Sequence, residues 1–459
     1  MTNISELGTA TALQTADLVR RGEVSALEVC DAAIDRIESR DGPINAVVVR
    51  DFERARASAR SIDTSRTKED ERPLLGVAMT VKESNDVCGL PTTWGFTEFA
   101  DYTPEQDAVA VERLKAAGAV ILGKTNAPVA LADWQTVNPV YGRTVNPHDH
   151  ARSPGGSSGG AGAALAAGMV PLELGSDIGG SIRIPANFCG VYGHKPTYGV
   201  IPLQGHGFPG TDGVDVPLAV VGPLARSAKD LTTALSVMSG SAVPGWKLDM
   251  KPPRHRELEE YRVLVLPGDG LPPVADDVAT AINEFVKSLD DAGVDIAMHA
   301  DGLPDFSVAQ ANYVAMLTAI TTRGTPGAEP IDAHAWMDLV DAQMRLQRQW
   351  NEVFRDFDIV LAPTASSTAF PHMDEPDWHD RPYTVNGERV NYGVQVFWAG
   401  LATYPGLPST AMPLSTSAEG LPTGLQALGG QFEDLTTLKF AELVEQAGLT
   451  LDPAASISR

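Results

Sequence analysis

Apolar positions in the first seventy residues recur at helical spacing. Leu27, Cys30, Ile34 and Ile37 fall on one stripe, and Ser25-Ala-Leu-Glu28 ahead of them has the Ser-x-x-Glu form of a capping box. Arg36, Glu38 and Arg40 are expected to face solvent, and Gly42-Pro43 ends the helix. The charged stretch from Arg54 to Arg72 has few large apolar residues after Ser65, so its end reads as an exposed loop.

From Leu74 the texture changes to short apolar runs punctuated by glycine. Val77 to Val81 reads as a strand, Asp107 to Ala117 as a helix ended by Gly118, and Ala119 to Leu122 as a buried strand. Ala161 to Gly168 is a helix of almost nothing but alanine and glycine, which requires close packing, and Val170 to Leu174 is the next strand. Ser227 is expected to cap a helix whose inner face carries Leu231, Leu235 and Met238. Tyr261 to Pro267 reads as a strand, Val274 to Ala292 as an amphipathic helix, and Asp358 to Ala362 as a late buried strand. Strand, helix, strand at these lengths predicts an α/β fold: one large domain with a central mixed, mainly parallel twisted sheet covered by helices on both faces. Residues 1–72 form a helical segment packed on a catalytic domain of 73–459, within which 240–330 is an insertion or a lid-bearing region.

Composition narrows the class. The 459 residues are 43% hydrophobic and 20% charged, a globular balance. Glycine (43) and proline (33) are enriched without a collagen-like period, which signals tight turns and close backbone approaches. A formal charge of −24 argues against nucleic acid as a direct partner. Cys30, Cys88 and Cys189 are widely spaced and fit free buried thiols in a reducing cytosol. No secretory signal opens the chain, and the apolar stretch from Ala161 to Pro171 is far short of the ~20 residues that span a bilayer. A cytoplasmic protein without membrane partners is expected.

The densest chemical signal is Ser153-Pro-Gly-Gly-Ser-Ser-Gly-Gly160, two serines with glycine pairs on either side. No Gly-Lys-Ser/Thr follows, which excludes a phosphate loop. Twenty residues on comes Gly175-Ser-Asp-Ile-Gly-Gly-Ser-Ile-Arg183, which places Ser181 on a turn beyond a strand's C-terminal end. Gly179 and Gly180 let several backbone N–H groups converge there, as an oxyanion requires. The histidines are poorly placed as a base. His148 and His150 lack a third metal ligand, and His194 reads as structural. Lys82 directly follows a buried strand. On a surface it is a snorkelling cation, but burial makes it a neutral amine, at about 4 kcal/mol for a fall of ~3 pKa units. Gly205-His-Gly-Phe-Pro-Gly210 matches a dinucleotide fingerprint but opens no helix. No cofactor or metal is expected.

These residues resemble the amidase signature family, from Arg36-Ile-Glu to Gly420-Leu-Pro-Thr-Gly-Leu-Gln426, with Ser153 to Cys189 the most specific part. The spacing also resembles it, with Lys82 lying 75 residues before Ser157 and Ser181 24 after it. The resemblance implies a triad in which Ser181 is the nucleophile and Lys82 the base. Ser157, preceded by a cis peptide after Gly156, bridges the two. It further implies an oxyanion hole of the Ile178, Gly179, Gly180 and Ser181 amides, with Ser158, Asp177 and Arg183 supporting the site. Where many members carry a glutamate after the Thr-Asn at 125–126, this chain has Pro128-Val129-Ala130.

The resemblance leaves the substrate open. A stand-alone amidohydrolase of bulky or aryl amides is the favoured reading, extending to esters and carbamates, as in arylamidases and urethanases, and acting as monomer or homodimer. The alternatives are an inactive binding protein and one component of a tRNA-dependent amidotransferase that requires partner proteins. Met79, Trp134, Phe208, Phe370 and Trp398 are the candidate lining of an apolar pocket, and the loop Leu203 to Val216 a candidate gate.

Overall fold

The computed structural model of the chain describes residues 7–457 except 68, 212, 214, 244, 267–270 and 326. Its centre is an eleven-stranded sheet. In spatial order the strands are Val47–Arg50, Val120–Thr125, Ala78–Lys82, Leu172–Asp177, Val220–Ala225, Tyr192–Lys195, Ser409–Thr416, Pro422–Leu428, Ile359–Pro363, Arg262–Val265 and Asp295–Ala297. The sheet is mixed, as expected, but six neighbouring pairs are antiparallel and four parallel. Parallel pairing occupies two zones: 120–125, 78–82 and 172–177 on one side, 359–363, 262–265 and 295–297 on the other. Helical crossovers deliver those pairs. The middle is stitched by antiparallel neighbours such as the hairpin of 409–416 and 422–428, which a βαβ pattern in the sequence does not reveal.

Strand Val47–Arg50, unanticipated in the sequence, pairs antiparallel with Val120–Thr125 and ties the N-terminal segment into the sheet. At the opposite edge, the strands of the 240–330 zone join the same sheet, with helix Asp276–Asp291 between them.

Helix Ala26–Arg40 opens with the expected capping box: Glu28 N–H donates to Ser25 Oγ at 3.1 Å, and Ser25 N–H donates to the Glu28 carboxylate at 2.7 Å. Val29, Cys30, Ala33, Ile34 and Ile37 form its buried stripe. Arg36 and Arg40 do not face out. Arg36 Nε donates to the Gly168 carbonyl at 2.9 Å and Arg40 to that of Ala167 at 2.7 Å. They satisfy acceptors just past helix Gly159–Ala166, whose last carbonyls have no partner within the helix.

That helix is buried along its whole length. A Cβ on Gly160 would lie 2.4 Å from the Asn126 amide nitrogen, so only glycine permits the contact. Helix Phe52–Ser65 takes up most of the charged stretch that begins at Arg54. Helix Ala228–Met238 buries Leu231, Leu235 and Met238 as expected, but the Ser227 side chain does not cap it. The Glu445 carboxylate accepts from the Ala228 N–H at 3.0 Å, a charged acceptor that outcompetes a hydroxyl at a helix N-terminus. Asp230 instead accepts from Ala12 and Leu13 at 2.7 and 3.0 Å, capping the distant helix Ala12–Arg21. All three cysteines are free, but only Cys30 and Cys189 are buried, and Cys88 is exposed.

Candidate active site

Lys82 closes strand Ala78–Lys82 and is wholly buried. Its Nζ donates to Ser157 Oγ at 2.7 Å and to Ser176 Oγ at 2.9 Å. Burial holds its pKa down at about 7, against the opposing pull of Asp177 and Glu83. The Gly156–Ser157 peptide is cis. Next to it, Ser158 Oγ donates to the Ser176 carbonyl at 3.2 Å and accepts from the Ser176 N–H at 3.3 Å, which fastens the serine pair to strand Leu172–Asp177.

Ser181 lies in the turn beyond that strand, only 5% exposed. Its carbonyl accepts from the Ser158 N–H at 3.1 Å, so the two serine-bearing loops are bound together through backbone. Asp177 and Arg183 form a buried fork, Arg183 Nη2 and Nε donating to the two carboxylate oxygens at 2.9 and 3.1 Å. Burial alone would raise the Asp177 pKa, but the Arg183 charge overrides it and holds the carboxyl at about 2. Arg183 also reaches Thr403 Oγ1 at 2.9 Å and Gln426 Oε1 at 2.8 Å, anchoring the turn to distant chain.

The turn's own peptide groups are sorted in the same way. Its carbonyls point away from Ser181: that of Ile178 accepts from the Tyr313 hydroxyl at 2.7 Å and that of Gly179 from Trp134 Nε1 at 2.9 Å. The N–H groups of Ile178, Gly179 and Ser181 make no hydrogen bond among the described residues, whereas the Gly180 N–H donates to Asp177 Oδ1 at 2.9 Å. Gly180 sits at φ +96°, a conformation for which a side chain is strained. Three unengaged donors therefore surround the Ser181 backbone, and the fourth serves to hold the turn.

The candidate pocket residues are spread more widely. Trp134 touches the turn through Gly179 and packs tilted against Tyr392 at 5.3 Å, and Phe370 meets the same Tyr392 at 5.4 Å. Trp398 belongs to that cluster and donates to Ser366 Oγ at 3.0 Å. Met79 is fully buried in a different cluster. Phe208 is 39% exposed and packs on Trp94, Phe96 and Phe99. The Pro128-Val129-Ala130 departure falls on a tight turn in which Ala130 and Leu131 have positive φ. His148 and His194 are held by structural hydrogen bonds, to the Cys189 carbonyl and to Thr410 and Asp434.

Sequence reasoning missed Ser176 as a partner of Lys82. Its one signal was position: it immediately precedes Asp177 on the strand next to that of Lys82, where the parallel register opposes Val81 to Leu174.

A dry amine on a serine hydroxyl, a second serine on an adjoining turn and unengaged amides about it can carry out acyl transfer without a histidine. The family model for amidases matches residues 28–324 and 321–438. The chain belongs to the amidase family. Among similar proteins, this amidase is 31% identical over 498 residues to a glutamyl-tRNA(Gln) amidotransferase component of Moorella thermoacetica (96% of this chain, 97% of the relative). It is 33% identical over 474 residues to indoleacetamide hydrolase of Bradyrhizobium diazoefficiens (95% of this chain, 86% of the relative). A chain of an inhibitor-bound vestigial protein complex that bears on the evolutionary origins of an s-triazine catabolic enzyme superposes with a TM-score of 0.83 at 30% identity, over 96% of this chain and 99% of that one. The central α/β sheet of this amidase is the family's, and the chain is a hydrolase of C–N bonds. Among the described residues no helix is long and apolar enough to cross a membrane.

Proposed function

We propose that this amidase is a stand-alone hydrolase of amides with a bulky apolar or aryl group, acting through a Ser181 acyl-enzyme. The observation that carries the reading is the buried Lys82 amine, hydrogen bonded to Ser157 beside the turn of Ser181. Neutral Lys82 takes the Ser157 proton as Ser157 takes that of Ser181, and Ser181 Oγ attacks the amide carbonyl. The Ser181 hydroxyl makes no hydrogen bond among the described residues, and contacts of this kind tighten once substrate is in place. The amides of Ile178, Gly179 and Ser181 receive the oxyanion, each donor worth about 3 kcal/mol. Ser157 returns the proton to the departing amine, and water releases the acyl group. Esters and carbamates present the same carbonyl and fall within reach.

Support for an apolar substrate comes from the aromatic cluster of Trp134, Tyr392 and Phe370, whose Trp134 Nε1 donates to the Gly179 carbonyl of the turn that carries Ser181. The indoleacetamide hydrolase likeness points the same way. A second reading, a partner-dependent amidotransferase component, is favoured by the equally extensive likeness to the Moorella protein. Hydrolysis of a 4-nitroanilide, an aryl carbamate, a fatty amide and glutamine by the purified chain separates the two. Turnover of the anilide or carbamate that vanishes in Ser181→Ala supports the hydrolase. Turnover of glutamine alone, or of nothing until a partner is added, supports the amidotransferase.

A further inference from the structure

Of the residues that follow Lys82, Asn85 turns back on the Lys82 carbonyl, and Glu83, Ser84 and Asp86 each grip a different piece of one aromatic corner. Glu83 accepts the Thr93 and Trp94 N–H groups at 2.6 and 3.1 Å and holds Trp94 at φ +51°. Ser84, fully buried, meets His206 Nε2 at 3.0 Å. The Asp86 N–H donates to the Gly205 carbonyl at 2.8 Å, and the Val109 N–H to that of Gln204 at 3.0 Å. Above them, Trp94 packs on His206 at 5.6 Å and on Phe208 at 5.9 Å. The glycine-rich segment from Leu203 to Gly210 is therefore fastened to the chain leaving Lys82 by one polar clip, one backbone bond and tilted aromatic contacts, and to the start of helix Val109–Ala116 by a second backbone bond.

We propose that His206, clipped to Ser84, is a positioning residue for Lys82: it seats the 203–210 segment over the strand end and keeps water from the amine. The inference rests on the reading of Lys82 as base. His206 is not itself an acid or base in this scheme. Burial first, and the nearby Lys82 charge second, hold its pKa at about 3, so it stays neutral wherever an amidase works. The groups acting electrostatically on Lys82 are Asp177, at the end of strand Leu172–Asp177, and Glu83 on its own segment, with His206 facing it from the loop. Both carboxylates raise the lysine, so burial is what brings it down, and the seated segment contributes to that burial. Unseating it hydrates Lys82 and moves its titration back towards that of an ordinary lysine.

The test follows the pH dependence of Ser181 labelling by a fluorophosphonate, which needs no knowledge of the natural substrate. In the wild-type chain the labelling rate should rise through a midpoint near 7. In His206→Ala and in Ser84→Ala the midpoint should move up by about one unit, so that labelling at pH 7 falls about fivefold while the high-pH plateau is kept. His206→Gln, which retains a side-chain hydrogen-bonding group towards Ser84, should restore the wild-type midpoint. If His206→Ala does not fold, Ser84→Ala carries the same expectation alone. A midpoint unmoved in every folded variant, or a uniform fall at all pH values, overturns the inference. Failure of the underlying reading looks different: labelling would persist in Ser181→Ala, or show no midpoint in the wild-type chain.

Discussion

At the scale of single residues, the site depends on how two hydroxyls share one amine. Ser157 and Ser176 both accept from Lys82, and with Nζ so held the lone pair that appears on deprotonation has a fixed direction. Ser176→Ala leaves Lys82 with one partner. Since hydrogen bonds to charged groups are worth about 1.5–3 kcal/mol, kcat should fall roughly ten- to a hundredfold with KM little changed, measured on whichever amide the chain turns over. An unchanged kcat would reduce Ser176 to a packing serine. The Lys82–Ser157 pairing was legible only through the resemblance to the amidase signature family, because a lysine at a strand end otherwise reads as a surface cation. Ser176 was not, because one serine in a strand looks like any other until the neighbouring strand's register is known.

At the scale of elements, the helix Gly159–Ala166 sets the position of the serine pair at its N-terminal end. It achieves this by having almost no side chains, so that its backbone lies directly on its neighbours. Gly160→Ala forces a Cβ to within 2.4 Å of the Asn126 nitrogen, which is backbone and cannot swing aside. Overpacking of this kind costs about 1–3 kcal/mol or more, so thermal unfolding of the variant should occur well below that of the wild-type chain. An unaltered transition would mean that the helix has room to shift. Local elements were read well where the signal is local: the Ser25 capping box, the alanine-glycine helix and the strand before Lys82 all appear in place. Caps contributed from afar were not, because nothing near Ala12 announces Asp230, and nothing near Ser227 announces Glu445.

At the scale of the whole molecule, buried ionisable groups make stability depend on pH in opposing senses. Glu173, wholly buried with Thr80 donating to its carboxyl, is pushed up by burial to about 8. The folded state thus keeps a proton that the unfolded chain releases above about 4.5. The stability this contributes is complete below that value and is lost as pH rises through 8. Lys82 and Lys195, lowered to about 7, and Lys124, lowered to about 8, act in reverse: the unfolded chain holds the extra protons, so stability rises from those values towards 10.5. Glu173→Gln removes the first dependence alone. Denaturant titrations at pH 5 and 8.5 should show the variant gaining about 2 kcal/mol or more on the wild-type chain at the higher pH, and equal differences at both would refute a neutral Glu173. The sheet's antiparallel middle was illegible for a related reason. Its partners are brought together from far along the chain, and local periodicity says nothing about which strands meet.

The Asp177–Arg183 fork has a bearing on the protein's synthesis. Arg183 completes its hydrogen bonds only with Ala399, Thr403 and Gln426, the last 243 positions further on. A chain still emerging from the ribosome carries Lys82, Ser157 and Ser181 long before it carries the groups that steady the turn between them. On the proposed mechanism the turn that carries the nucleophile is thus fully braced only once the chain has been made past Gln426, and a product cut short before that point should show no turnover.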